Sequence, residues 1–120
     1  ICARRVAQHA LTPMLASMTG WRQTNRERIA ARATVFRAAI DDLPGWDLLS
    51  SGAYFGYVRH PFAGMGSRQL AETMARKVGV LVIPGAFFGA GQDGALRFAF
   101  ANAGRDIIGQ LAGRLSSLTL

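Results

Sequence analysis

The sequence predicts an α+β domain in which helices pack on a small, mostly antiparallel sheet that a long helix precedes. Apolar stripes at helical spacing open the chain, and short segments rich in Tyr, Phe and Val follow them. Of the 120 residues, 50% are hydrophobic and 18% are charged, which is typical of a globular chain with one core. We expect a single domain over residues 1–120, with a helical segment over 1–44 leading into an α+β core over 45–120.

The first predicted helix spans Arg5 to Ser17, where apolar residues recur at helical spacing. The residues aligned on its face are Val6, Ala10 and Met14. Pro13 lacks the N–H that a helix interior uses, so we expect it to end or kink this helix. Thr19 and Gly20 then break the chain before the next helix.

The second predicted helix runs from about Trp21 to Asp42 and ends before the turn signal Pro44-Gly45. Its apolar stripe consists of Ile29, Ala33, Phe36, Ile40 and Leu43. Arginines border the stripe on both flanks, Arg26 and Arg37 on one and Arg28 and Arg32 on the other. Because the stripe divides them, they form no continuous surface for phosphates, and nucleic-acid binding is disfavoured despite the net charge of +7.

Strands are predicted in the core at Gly52–Arg59, Val80–Ile83 and Ala95–Ala101. A loop or a short edge strand is expected at Asp47–Ser51 before them. The branched run Val80–Ile83 is typical of a buried strand, and the segment from Pro84 to Gly94 is predicted to be a loop. We expect the last two strands to pair antiparallel.

Two further helices complete the prediction. One runs from Ser67 to Val78 between the first two strands, with Ser67 as its N-cap. The residues on its buried face are Leu70, Ala71, Met74 and Val78. The other closes the chain from about Arg105 to Ser116, and its apolar positions are Ile107, Ile108, Leu111 and Leu115.

Arg97 is the one charged residue of the last predicted strand. Since side chains alternate along a strand, Leu96, Phe98 and Phe100 face one way, whereas Arg97, Ala99 and Ala101 face the other. The alanines leave space around the guanidinium, a charge that is costly to surround with apolar groups unless an anion pairs with it. That anion is either another side chain or a ligand, and the pattern alone leaves both open.

Other binding and catalytic patterns fail in context. The run Gly89–Gly94 matches the dinucleotide pattern G-x-G-x-x-G, but a strand is predicted after it where that site needs a helix, so we interpret it as a glycine-rich connection. His9 and His60 belong to no ligand-spaced cluster, and no metal site is expected. Glu27 and Glu72 form no evident acid–base pair, and the G-x-S-x-G motif of a serine nucleophile is absent.

Cys2 is the only cysteine, which excludes an internal disulfide and fits a reducing compartment. The longest apolar stretch, Val78 to Ala90, is interrupted by Gly and Pro and is too short to cross a bilayer. The chain opens with Ile1-Cys2-Ala3-Arg4-Arg5, without an initiator Met or a signal-peptide pattern. We therefore expect it to be a piece of a longer protein.

Three motifs follow one another in the α+β core: Gly52-Ala53-Tyr54-Phe55, then Gly79-Val80-Leu81-Val82-Ile83-Pro84-Gly85-Ala86-Phe87-Phe88-Gly89, then Leu96-Arg97-Phe98-Ala99-Phe100-Ala101. In this order and at these separations they resemble the C-terminal part, the small domain, of class I/II aminotransferases. These are pyridoxal-phosphate (PLP) enzymes of the aspartate aminotransferase fold. The resemblance is strongest over residues 50–102 and extends more loosely over the whole chain.

The resemblance implies that Arg97 binds the α-carboxylate of the substrate and that Tyr54 lines the substrate pocket. It also implies a PLP cofactor held by a preceding large domain, which carries the Schiff-base lysine, an aspartate facing the pyridine nitrogen and the phosphate-binding groups. None of those motifs occurs here. Lys77, the sole lysine, lies outside any lysine motif and is expected to be solvated. No catalytic or cofactor-binding residue is therefore assigned, and the segment alone is expected to be inactive.

The leading hypothesis is the substrate-binding small domain of a PLP-dependent aminotransferase, which transfers an amino group between an amino acid and a 2-oxo acid. The resemblance implies a cytoplasmic homodimer, with neither nucleic acid nor membrane as a partner. An alternative is the ligand-sensing, aminotransferase-like domain of a transcription regulator, which binds without turnover. A free-standing basic binding domain would require the 120 residues to begin and end naturally, and the absent Met argues against it.

Overall fold

The computed structural model describes residues 4–119, so Cys2 and the expectations placed on it lie outside the described residues. Two helices come first, α1 (Arg5–Ser17) and α2 (Thr19–Asp41). Helix α1 continues through Pro13 and does not end there, although a proline inside a helix loses one backbone hydrogen bond and crowds the carbonyl one turn before it. Helix α2 begins at Thr19, slightly before the predicted start.

A four-stranded antiparallel sheet follows, with the strand order β1-β2-β4-β3. Its strands are β1 (Asp47–Gly52), β2 (Phe55–Arg59), β3 (Ile83–Pro84) and β4 (Ala95–Ala99). The helices of this part are α3 (Ser67–Val78), α4 (Arg105–Gly109) and α5 (Leu111–Ser116), and short 3₁₀ turns lie at Gly85–Phe88 and Phe100–Asn102. The α+β class and the antiparallel pairing of the last two strands are confirmed.

The predicted strand Gly52–Arg59 is instead the second half of a hairpin. Gly52 pairs with Phe55, and the chain turns through Ala53 and Tyr54. Ala53 takes a positive φ of 49°, the left-handed conformation that a tight two-residue hairpin turn requires. The short edge strand that the sequence allowed before this point is β1.

Two other strand predictions are only partly right. The run Val80–Ile83 is not a buried strand: β3 contains only Ile83 and Pro84, and Leu81 is 84% exposed. The physical reason is that β3 lies at the edge of the sheet, where one side of the run has no partner strand. Strand β4 ends at Ala99, because the chain turns into a 3₁₀ turn at Phe100.

The helix predictions also need small corrections. Ser67 is the first residue of α3 and not its N-cap. Gly66 occupies the N-cap position, and it has no side chain to cap the helix. The closing helix is divided at Gln110 into α4 and α5. Of its predicted apolar positions, Ile107 is exposed, and those that are buried are Ile108, Leu111 and Leu115.

The core lies between α2 and one face of the sheet. The ring of Phe36 packs against those of Phe98 and Phe100, with centroids 5.6 and 5.3 Å apart. Gly56 of β2 permits this approach, since a Cβ atom there would lie 2.2 Å from the Phe36 ring. Other large buried side chains are Ile40, Leu43, Val58, Leu70, Met74, Leu96, Ile108, Leu111 and Leu115.

Helix α1 lies away from this core. No residue of α1 is buried, and Val6 is 82% exposed. The Cα radius of gyration is 17.3 Å, compared with about 14 Å for a compact domain of this length. Within residues 4–119, no helix combines the length and the apolar character needed to cross a membrane.

Candidate functional site

Arg97 lies in the middle of β4, and two strands flank it. Its register partner on β2 is Tyr57, and its partner on β3 is Ile83. The neighbours of Arg97 along β4, Leu96 and Phe98, are buried in the core, so the arginine extends from the opposite face of the sheet. The predicted alternation of faces is confirmed over this strand.

Aromatic rings hold the guanidinium of Arg97. Its Cζ atom lies 4.4 Å from the ring centroid of Phe55 and 4.8 Å from that of Phe88. These are cation–π distances, at which the electron-rich face of a ring attracts the positive charge. The two contacts restrict the orientation of a planar group that otherwise rotates freely on a long side chain.

No carboxylate of the described residues neutralises Arg97. Among residues 4–119 the ion pair present is Arg59 with Asp47, at 3.3 Å, and both of its side chains are largely exposed. The Nε atom of Arg97 is buried and has no hydrogen-bond partner within the described part of the chain. The sequence left open whether the anion beside Arg97 is another side chain or a ligand. No side chain of the described residues takes that place.

The surface around Arg97 is open. Arg97 is half-buried and does not line the concavities that lie beside Phe98, His60, Arg32 and Tyr54. Ala99 is exposed and leaves space beside it, as the sequence predicts, but Ala101 lies beyond the end of β4 and packs against the core. The face of the sheet beside Arg97 is thus partly exposed in the described residues.

Tyr54 lies in the hairpin turn and not within a strand. Its side chain is 49% exposed, and its ring meets that of Phe55 edge-on, with centroids 6.5 Å apart. Phe55 therefore connects the two predicted site residues, since it contacts Tyr54 and also lies under Arg97. Tyr54 also lines a groove of about 400 Å³ between the turn and α2, together with Trp21 and Arg26.

Tyr57 contacts Phe88, one of the two rings at Arg97. The sequence analysis did not identify Tyr57 as a site residue. Its hydroxyl donates a hydrogen bond to Oε1 of Gln92 at 2.7 Å, and its ring meets Phe88 edge-on. Burial raises the pKa of the Tyr57 phenol above its ordinary value of 10.0. Alternation along β2 would have placed Phe55 and Tyr57 on the face of Arg97, but only the folded chain brings Phe88 there.

The glycine-rich run Gly89–Gly94 serves as a connection that anchors α3. Strand β4 follows it, which is the context that the sequence predicts. The carboxylate of Asp93 accepts hydrogen bonds from the N–H and the hydroxyl of Ser67, at 3.3 and 3.2 Å. Asp93 thus caps α3 from a distant segment, where the sequence indicated a cap by Ser67 itself.

The two histidines lie in different surroundings, one exposed and one buried. His9 lies exposed on α1. His60 is buried, its Nε2 atom lies 3.1 Å from the carbonyl oxygen of Asp93, and its ring stacks on Phe62. In the part of the chain that the structure describes, no three residues of the types His, Cys, Asp and Glu come together in a group that could hold a metal ion.

Comparison with known protein families shows which family this chain belongs to. The family model of aminotransferase class I and II matches residues 1–115. The chain belongs to this family. A comparison with curated protein sequences finds no match.

Solved structures share the fold of this member of the family. A PLP-dependent aminotransferase from Streptococcus suis is 20% identical, with a TM-score of 0.69, and the match covers 80% of this chain and 25% of that one. An aromatic aminotransferase from Pyrococcus horikoshii is 21% identical, with a TM-score of 0.62 and coverages of 87% and 26%. A structure described as a PLP-dependent β-cystathionase from Corynebacterium diphtheriae is 20% identical, with a TM-score of 0.65 and coverages of 84% and 28%. The chain thus spans about a quarter of the length of these structures.

Lys77 does not fit the role of a lysine that holds PLP in the described residues. Lys77 is exposed on the last turn of α3, where its Nζ atom donates a hydrogen bond to the carbonyl oxygen of Thr119 at 2.6 Å. It is the sole lysine of the sequence, and it is not among the residues that contact Arg97, Phe55 or Phe88 in the described chain. No chemical step that involves the cofactor is therefore assigned to these residues.

Proposed function

We propose that this chain is the substrate-binding small domain of a PLP-dependent amino-acid aminotransferase, and that Arg97 binds the α-carboxylate of the substrate. The observation that carries the proposal is the guanidinium of Arg97, which two aromatic rings hold and no carboxylate of the described chain neutralises. The full-length enzyme would transfer an amino group between an amino acid and a 2-oxo acid. Membership of the aminotransferase class I and II family supports this reaction.

The contacts of Arg97 suit a carboxylate ligand. Cation–π contacts use the face of the guanidinium, whereas hydrogen bonds to a carboxylate use the N–H groups at its edge. The ring contacts use no N–H group of Arg97, so a carboxylate can still bind through those groups. A bidentate bond sets both the position and the orientation of the substrate, which matters because the cofactor supplies the electronic chemistry and the protein must align the reacting bond.

The remaining parts of the site belong, in this proposal, to the rest of a longer protein in which residues 1–120 form the C-terminal part. The open surface at Arg97 supports this organisation, since one wall alone does not exclude water. The large domain would hold PLP, and its closure on the small domain would bury the substrate. We further propose a cytoplasmic homodimer, and no transamination by the 120-residue chain alone.

Substitution of Arg97→Lys in the full-length protein tests the proposal. Lysine keeps the charge but has no planar pair of N–H groups, so we expect a higher KM, a lower kcat and a loss of about a hundredfold in kcat/KM. Steady-state kinetics with a panel of amino acids and 2-oxo acids measure these values. The matched control is Arg59→Lys on β2, because Arg59 pairs with Asp47 at 3.3 Å and not with the rings at Arg97.

Unchanged kinetics of Arg97→Lys would remove this residue from the site. A full-length protein that binds an amino acid through Arg97 but never turns it over would instead favour the ligand-sensing domain of a regulator. If the full-length protein gives elimination products and no transamination, the proposed reaction is wrong, but the role of Arg97 as the carboxylate ligand is kept.

A further inference from the structure

A second group of arginines comes together where α4 meets α2. Arg28 and Arg32 lie one helical turn apart on α2, and Arg105 is the first residue of α4. With Ala31, the three arginines line a concavity of about 350 Å³. Both helices pack on the face of the sheet that carries Phe98, so this arginine cluster and Arg97 lie on opposite faces.

The positive charges of the arginine cluster are not neutralised by the described residues. None of the three forms an ion pair within residues 4–119. The nearest acidic residues in sequence are Glu27, which accepts a hydrogen bond from Gln23, and Asp106, and neither forms an ion pair with the cluster within residues 4–119. Like charges that share one concavity repel each other, and an anion between them would relieve that repulsion.

Arg32 is held in place before any ligand arrives. It is half-buried, and its Nη1 atom donates a short hydrogen bond to the carbonyl oxygen of Ala101. Arg28 and Arg105 are exposed at the sides of the concavity and can turn towards a ligand. One fixed and two adjustable guanidinium groups suit a ligand with several anionic oxygens, because each group can bind two of them.

We propose that Arg28, Arg32 and Arg105 bind a small phosphate-bearing molecule with two or more phosphoryl groups. A single carboxylate would use only one of the three guanidinium groups, whereas a diphosphate offers enough charge and oxygen atoms for all three. A nucleic acid is a poorer fit, since the apolar stripe of α2 separates this cluster from Arg26 and Arg37. The proposal is independent of the role of Arg97.

Calorimetric titration of the full-length protein with inorganic pyrophosphate tests the site. We expect saturable binding that weakens as the salt concentration rises, with orthophosphate binding less tightly. Arg28→Gln and Arg105→Gln should each lower the affinity about tenfold, the effect of losing a charge-assisted hydrogen bond. Arg32 is left intact, because its substitution would also remove the bond to Ala101.

Arg37→Gln is the matched control, since it removes the same charge from the opposite flank of the same helix and should change the affinity by no more than about twofold. Arg105→Lys, which keeps the charge, should lose less affinity than Arg105→Gln. Unchanged melting temperatures show that the variants are folded. The proposal is overturned if the unsubstituted protein does not bind pyrophosphate, if Arg37→Gln weakens binding as much as the cluster variants, or if an oligonucleotide binds more tightly and all arginine variants weaken it equally.

Discussion

Arg97 shows how a fold can hold a cation without a carboxylate. An ion pair would neutralise the charge and occupy the N–H groups, whereas the rings of Phe55 and Phe88 attract the charge and leave those groups unbonded. This arrangement has an energetic cost, because the Nε atom of Arg97 is buried without a hydrogen-bond partner in the described residues. A bound carboxylate would lower that cost by neutralising the guanidinium.

Removal of one ring should loosen Arg97 without removing its charge. In the full-length protein, we expect Phe88→Ala to raise the KM for amino-acid substrates by about fivefold, consistent with about 1 kcal/mol for one cation–π contact. Steady-state kinetics measure the change. The control is the neighbouring Phe87→Ala, because the ring of Phe87 lies under Arg68 and not under Arg97. Equal effects of the two substitutions would contradict a specific role for Phe88.

Tyr57 should make stability depend on alkaline pH. Burial raises the pKa of its phenol in the folded chain, so on passing pH 10 the unfolded chain loses this proton first. The stabilisation is therefore complete below pH 10 and is lost as the pH rises through the higher pKa of the folded state. Urea unfolding of the 120-residue chain between pH 8 and about 11 measures the decline.

Tyr57→Phe should flatten this alkaline decline. The variant should also be less stable at neutral pH by about 1 kcal/mol, because the hydrogen bond to Gln92 is lost. Tyr54→Phe serves as the control, since that tyrosine lies in the exposed turn. If Tyr57→Phe shows the same alkaline decline as the unsubstituted chain, another group causes it.

At the scale of the elements, one hairpin positions both sides of the molecule. Strand β2 faces α2 through Gly56 and Val58, and it faces the opposite side through Phe55 and Tyr57. Packing of the core against Gly56 therefore also constrains the position of the neighbouring Phe55 ring at Arg97. The period of two in a strand makes this coupling unavoidable, because successive residues belong to opposite faces.

A methyl group at Gly56 should disturb this packing. Its Cβ would meet the Phe36 ring at 2.2 Å, and we expect Gly56→Ala to lower the free energy of unfolding by about 2–3 kcal/mol. Chemical unfolding of the 120-residue chain measures the loss. Gly52→Ala in the same hairpin is the control, since nothing lies within 4 Å of a Cβ at that position. Equal stability of the two variants would show that Phe36 adjusts at little cost.

At the scale of the whole molecule, the described chain divides into a packed core and a projecting helical arm, which we define as α1 and the first half of α2. The arm accounts for the longest dimension of the molecule, 52 Å compared with 31 and 23 Å for the others. Its apolar side chains remain largely solvent-exposed, among them Val6, Leu11, Met14, Leu15 and Trp21. A surface of this kind typically contacts another part of a longer protein.

The arm should open much more readily than the core. Helix α1 has 13 residues, contains Pro13 and buries none of its side chains, so neither propensity nor packing stabilises it strongly. Hydrogen exchange of the 120-residue chain should show fast exchange in α1 and strong protection around Phe36 and Ile40 of α2. Comparable protection in the two helices would contradict this division.

The sequence by itself determined the α+β class, the stripe of α2, the alternation around Arg97 and the order of the elements, apart from the hairpin of β1 with β2 and the division of the closing helix. Each of these depends on the period of a helix or a strand, which neighbouring residues express directly. The hairpin turn at Ala53 and Tyr54 and the edge position of β3 escaped prediction, since they depend on which strands pair.

Only the tertiary structure decided what surrounds the arginines. Phe88 lies under Arg97 because a 3₁₀ turn and a strand edge meet there, and Asp93 caps α3 because the glycine-rich connection returns to it. Likewise, Arg105 joins Arg28 and Arg32 only where α4 packs on α2. Contacts between residues far apart in the chain form only when the core closes, and no local pattern contains them.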